Sequence, residues 1–229
     1  MNFLSHYYFV QVNNNPYSTL GAILPDLFRN HHYNWKFRPE KENLLFNDNS
    51  DLELLFEGWK HHVQVDALFH NSAPFIIHTS QLREELVKVF THLPKRPFFL
   101  AHVAYELILD CLLIRNNIVN TDLFYKNLDS CDFQTLDVFM DRIGISETKG
   151  FHLFLNNFIA SRYLESYDKP KSLVHALDRI GRRVWLEQFS KRETENALTV
   201  IENAIENLNA EFLNVFKIVD EEIKKSDQL

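Results

Sequence analysis

Apolar positions recur at three- and four-residue intervals along most of the chain, the spacing of one helix face, and the two-residue alternation of a half-buried strand is not found. Residues 2–11 predict a short apolar helix and residues 18–29 a second. Pro25 is expected to kink the second or mark a helix start, because proline brings no N–H and crowds the preceding turn. The stretch "NHHYNWKFRPEKENLLFNDN" at 30–49 is polar and irregular and reads as a surface loop. "SDLE" at 50–53 predicts a capping box, Ser50 with Glu53, opening a helix to about residue 71. Pro74 is placed near the start of the next helix, which stops before Pro94, and Pro97 opens the most apolar one, "PFFLAHVAYELILDCLLIRNN". Shorter helices are predicted near 121–129, 132–143, 148–165 and 170–186, with Gly144 as a stop signal. A long amphipathic helix closes the chain from about Ser190 to Lys225, its apolar face running Ala197, Val200, Ile201, Ala204, Ile205, Leu208, Phe212, Val215, Phe216. No repeat, low-complexity segment or linker interrupts this pattern. It predicts one all-α domain over 1–229, a single-domain helical bundle of about eight to ten helices.

Composition narrows what such a bundle does. With 229 residues there is length enough to bury a core, and only 5 Gly and 7 Pro agree with long regular elements. Glycine is too sparse for a phosphate-cradling loop, and no nucleotide fingerprint is present. A net charge of −7 argues against nucleic acid as a partner, since phosphate backbones select basic surfaces. Cys111 and Cys131 are too few for a disulfide framework and lack metal-site spacing, which suggests a reducing compartment. "MNFLSHYYFV" has no positive n-region and carries His6 within its apolar run, so it does not read as a signal peptide, and no stretch reaches the ~18 apolar residues of a membrane span. The expectation is a cytoplasmic protein without membrane insertion.

Candidate chemistry lies in two polar ladders. His62, Asp66 and His70 stand at i, i+4 and i+8 among Val63, Val65, Leu68 and Phe69, on one side of the predicted helix. His102, Glu106 and Asp110 repeat the spacing inside the most apolar helix. Burying ionisable groups without partners costs several kcal/mol each, roughly, so such residues in a core helix call for partners or a metal. Imidazole and carboxylate together suit Mn, Fe or Zn. His6 and Asp26, on the two preceding helices, are candidates to complete the site. The plainer reading is that these are salt-bridged or boundary residues. A lone histidine on a half-apolar helix is usually that, and His31, His32, His61, His78, His92, His152 and His175 are read so.

Three segments, "MNFLSHYYF" at the start, "LGAILPDLFR" at 20–29 and "HVQVDALF" at 62–69, together resemble the acyl carrier protein phosphodiesterase (ACP hydrolase) family. "ALDRIGRRVW" at 176–185 is similar to that family's paired-arginine segment, while 110–170 is weakly matched. The resemblance implies an all-helical, HD-like core related to HD-type metal phosphohydrolases. It implies a divalent metal, typically manganese, and release of 4′-phosphopantetheine from holo acyl carrier protein. His6, Asp26, His62 and Asp66 match the family's polar positions. His70 stands where the family has a second aspartate, and His102, Glu106 and Leu107 stand where it has D-x-x-x-D-H.

The roles expected on this basis are His6, Asp26, His62, Asp66 and His102 as metal ligands, Glu106 as general base or further ligand, and His70 as proton donor. Acyl carrier protein is acidic, so docking would require a local basic face on a chain of net negative charge. "RIGRRVWLEQFSKR" at 179–192 offers Arg179, Arg182 and Arg183 beside Trp185 and Phe189. The alternative for these arginines is a solvated helix end paired with Glu187 and other acids. Two rival functions keep the fold: a metal-dependent phosphohydrolase of another substrate, and a non-catalytic helical binding protein.

Overall fold

Most helix starts are fixed by side chains that take up the unpaired amides of a first turn. The computed structural model describes residues 1–32, 34–41, 46, 49–90, 97–185 and 188–226. Among these, eleven α-helices are found: α1 (Phe3–Val10), α2 (Pro16–His31), α3 (Ser50–His70), α4 (Ala73–Val89), α5 (Pro97–Arg115), α6 (Thr121–Asp129), α7 (Phe133–Arg142), α8 (Lys149–Ser161), α9 (Pro170–Trp185), α10 (Lys191–Leu208) and α11 (Leu213–Ser226). No strand occurs among the described residues, and the all-α class is as expected, although eleven helices exceed the eight to ten predicted because the terminal one divides in two. Asn15 caps α2 through the amide of Ser18 at 3.0 Å, Ser72 caps α4 through Phe75 at 3.3 Å, and Asp132 caps α7 through Thr135 at 2.8 Å.

Three local expectations change. The capping box at 50–53 is not formed; Asn49, one residue earlier, accepts from the amide of Asp51 at 2.8 Å and so holds the N-cap position itself. A capping box does occur at α10, where Ser190 and Glu193 satisfy each other's amides. Pro25 does not begin a helix, since α2 runs from Pro16 through it to His31. The terminal helix is two helices. The amide of Phe212 still bonds the carbonyl of Leu208 at 2.8 Å across the break, so the apolar register carries through and the sequence shows no interruption. Gly144 does stop α7, with φ of +88°. Pro94, the expected end of the fourth helix, lies outside the described residues, as does Glu187.

The chain groups into two compact units, each built from separated segments. One comprises Met1–Ser5, Ala67–Ile118 and Glu165–Leu229. At its centre is α5, flanked by α4, α9 and α10, with Leu100, Ala104, Leu107, Ile108, Cys111 and Leu112 buried. By length and composition α5 is also a candidate membrane span, and 61% of that stretch is buried inside the protein. The other unit comprises His6–Asp66 and Val119–Leu164. Here α2 packs on α6 and α8, around an aromatic core in which Phe28 meets Phe151 at 4.7 Å and Trp35 at 5.4 Å. The boundary between the units falls inside α1, after Ser5, and inside α3, after Asp66.

Candidate functional site

That boundary divides the first ladder. His62 and Asp66 belong with His6 in one unit, and His70 belongs with His102 and Glu106 in the other. Each trio has ligand atoms within 4.8 Å of one another and is able to hold a metal ion.

The first trio is assembled by a close helix contact. Gly58 on α3 faces Gly21 on α2, and a Cβ on Gly21 would stand 2.1 Å from the carbonyl oxygen of Leu55. A Cβ on Gly58 would stand 2.7 Å from that of Ser18. Only glycine permits this approach. One turn beyond Gly58, His62 reaches the carbonyl of Ala22, with Nδ1 at 2.7 Å. A carbonyl only accepts, so Nδ1 carries the hydrogen and the Nε2 lone pair of neutral His62 is left for a ligand. This is the arrangement by which a second group fixes a metal-binding tautomer.

His6 stacks on His62 with ring centroids 3.7 Å apart and planes at 19°. Its Nε2 lies 3.2 Å from Asp66 Oδ1, and His62 Nε2 lies 3.9 Å from Asp66 Oδ2. Asp66 is thus the partner that His6 Nε2 approaches, while its Nδ1, also buried, has no hydrogen-bond partner among the described residues. Polar atoms buried in this way are rare, and a metal ion is one partner that would satisfy them. Burial, and for His6 the neighbouring His62, lowers both histidines from 6.5 to about 4. Both are therefore neutral at physiological pH, the state a metal requires. Asp66 is 31% exposed, which leaves the trio open on its carboxylate side. Asp26 is half-buried on α2 and is not within either trio.

In the second trio, Glu106 Oε1 lies 2.9 Å from His102 Nε2 and 3.3 Å from His70 Nε2, and the two nitrogens are 3.0 Å apart. The α-amino nitrogen of Met1 is 3.1 Å from the same oxygen. Burial opposes the charge of Glu106, but the Met1 ammonium and then the two histidines outweigh it and hold the carboxyl well below the usual range.

Asp110, the last rung of the second ladder, has a structural task. It accepts from Asn2 Nδ2 at 2.8 Å, from the amides of Leu4 at 3.2 Å and Ser5 at 2.8 Å, and from Ser5 Oγ at 2.7 Å. It caps the start of α1 from a distant part of the sequence. Burial pushes its carboxyl up to about 7 against the pull of these donors.

Of the predicted docking arginines, Arg182 is ion-paired to Asp178, Nε to Oδ2 at 3.0 Å, and Asp178 also accepts from the amide of Phe189 at 2.8 Å. Arg179 and Arg183 are exposed. The side chain of Trp185 lies outside the described residues. Sequence reasoning missed the Ala22 carbonyl and the Gly21–Gly58 contact. Gly58 was the available signal, since a glycine inside a helix costs about 1 kcal/mol and usually has a packing reason.

The chain matches no family model, no curated protein and no solved structure.

Proposed function

We propose that the protein is a metal-dependent phosphodiester hydrolase with His6, His62 and Asp66 as its ligand set. In line with the sequence resemblance, we propose holo acyl carrier protein as substrate, with 4′-phosphopantetheine released. The observation that carries the reading is that two buried imidazoles, His6 and His62, and the Asp66 carboxylate bring ligand atoms within 4.8 Å of one another. Manganese is the metal the resemblance implies, and two imidazoles with one carboxylate also suit iron or zinc. A bound divalent ion would polarise the phosphodiester and acidify a water.

The residues themselves do the rest. Ala22 holds the His62 ring in one tautomer, so that no reorientation precedes binding. The stack of His6 on His62 keeps water from the buried faces of both rings. The partly exposed carboxylate of Asp66 marks the side from which substrate enters. Arg179 and Arg183, both exposed on α9, are the cations offered to an acidic partner.

Mass spectrometry of holo acyl carrier protein after incubation with the enzyme and Mn²⁺ tests this. Loss of the phosphopantetheine mass is expected with the unmodified chain and not with His62→Ala. Intact carrier protein together with hydrolysis of a simple aryl phosphodiester would retain the reaction and retire the substrate. No turnover of either, with metal bound, would favour the binding-protein alternative.

A further inference from the structure

We propose that His70, His102 and Glu106 form a second, separate divalent-cation site, selective for a borderline ion such as Zn²⁺ over Mn²⁺. This site does not depend on the hydrolase reading. The three facing atoms form a triangle with sides of 2.9, 3.0 and 3.3 Å. Consider the protons available to it with Glu106 ionised. If both histidines carry hydrogen on Nε2, each donates to Oε1, and two N–H groups then confront each other at 3.0 Å. If only His70 does, the His102 lone pair faces the carboxylate oxygen at 2.9 Å. If only His102 does, the His70 lone pair faces that oxygen at 3.3 Å. Each of these leaves one contact repulsive, and with hydrogen on neither Nε2 all three contacts are.

A cation at the triangle removes the conflict, because all three lone pairs then turn inward. Ligand atoms about 2.0–2.2 Å from an ion lie roughly 3.0–3.5 Å from one another, which is the scale observed. The surroundings fit an ion site as well. The Phe75 ring stands edge-on to both imidazoles, 5.0 Å from each, and Phe98 and Phe99 approach His102 at 6.3 Å. This apolar shell strengthens electrostatic attraction on one side. The side chains of His70 and His102, 31% and 24% exposed, leave an entry on the other. Met1 is the competing cation at Oε1, and ion binding would displace it. Two nitrogens against one oxygen favour Zn²⁺, whereas Mn²⁺ prefers oxygen-rich sets.

The test is a Co²⁺ titration of the full chain, followed by visible absorption and by metal content after dialysis, then repeated with Zn²⁺ and Mn²⁺. The unmodified chain should bind two equivalents of Co²⁺. His70→Gln and His102→Gln should each bind one, and His62→Ala should also bind one, at the second site. Zn²⁺ should displace Co²⁺ from the His62→Ala chain at least tenfold more effectively than Mn²⁺. A single equivalent in the unmodified chain and none in His62→Ala would overturn the second site while sparing the first. One equivalent in His62→Ala and none in the His62→Ala/His102→Gln double variant would support the second site whatever becomes of the first. Should the Gln variants lose their helical circular dichroism, the stoichiometries of the unmodified and His62→Ala chains still decide the matter.

Discussion

Both trios consist of two imidazoles and one carboxylate, yet they are held in different ways. His6 and His62 are buried and stacked, a backbone carbonyl fixes the orientation of His62, and the exposed atoms are confined to Asp66. His70 and His102 reverse this, being partly open while their carboxylate, Glu106, is the more enclosed member at 13% exposure. The first arrangement presets its donors before any ligand arrives. On the proposed reading, the second keeps its protons in conflict until a divalent cation displaces the Met1 ammonium. Similar ligand lists can therefore serve different tasks, and the shell around them decides which.

The largest expected effect is on turnover. Asp66→Asn should lower phosphodiester hydrolysis by about 10³-fold or more, as loss of a metal ligand does, whereas Glu106→Gln should leave it within about tenfold. Equal losses in the two variants would join both trios to one reaction, with Glu106 as the general base first expected, and the contrast would end.

Stability against pH gives the next effect, measured on metal-free protein. His6 and His62 stand at about 4 in the fold against 6.5 for an ordinary histidine, so the unfolded chain binds protons first as pH falls. Their contribution is therefore complete above about pH 6.5 and is lost as pH drops toward 4. It amounts to about 3 kcal/mol per histidine at most, from 1.36 kcal/mol per pKa unit. Urea midpoints across this window should fall for the unmodified chain and flatten in His6→Leu. An unaltered slope in that variant would place the sensitivity elsewhere.

The smallest effect concerns ion preference. His70→Asp should shift the second trio toward Mn²⁺ by about tenfold in competition with Zn²⁺, while leaving the first trio unchanged. Dialysis against mixed ions reads this directly, and no shift would make His70 a bystander.

The fold was largely legible because helical periodicity survives even where a helix breaks, as between Leu208 and Leu213. Helix starts were less so, since Asn49 and Ser50 are both good caps and only the three-dimensional path of the chain chooses between them. The ladders drew attention to His62, Asp66, His70, His102 and Glu106 through their spacing alone. Spacing could not reveal that the first ladder divides after Asp66, because helix geometry relates residues along one element and not those brought in from others. It also could not separate Asp110, whose partners Asn2, Leu4 and Ser5 are more than a hundred residues away. The Ala22 contact was beyond reach for another reason: a backbone carbonyl has no residue identity to read.

The Gly21–Gly58 approach has a consequence for genetics. Neither residue carries a functional group, yet the carbonyl that orients His62 follows Gly21 directly, and His62 lies one turn from Gly58. A methyl group at either position would force α2 and α3 apart and carry the Ala22 oxygen away from the ring. A saturation screen for activity would then rank both glycines beside the ligands, with every substitution scored as a loss. Intolerance would extend to residues that no substrate touches, so the footprint in such a screen would trace the helix crossing as much as the ion-binding atoms.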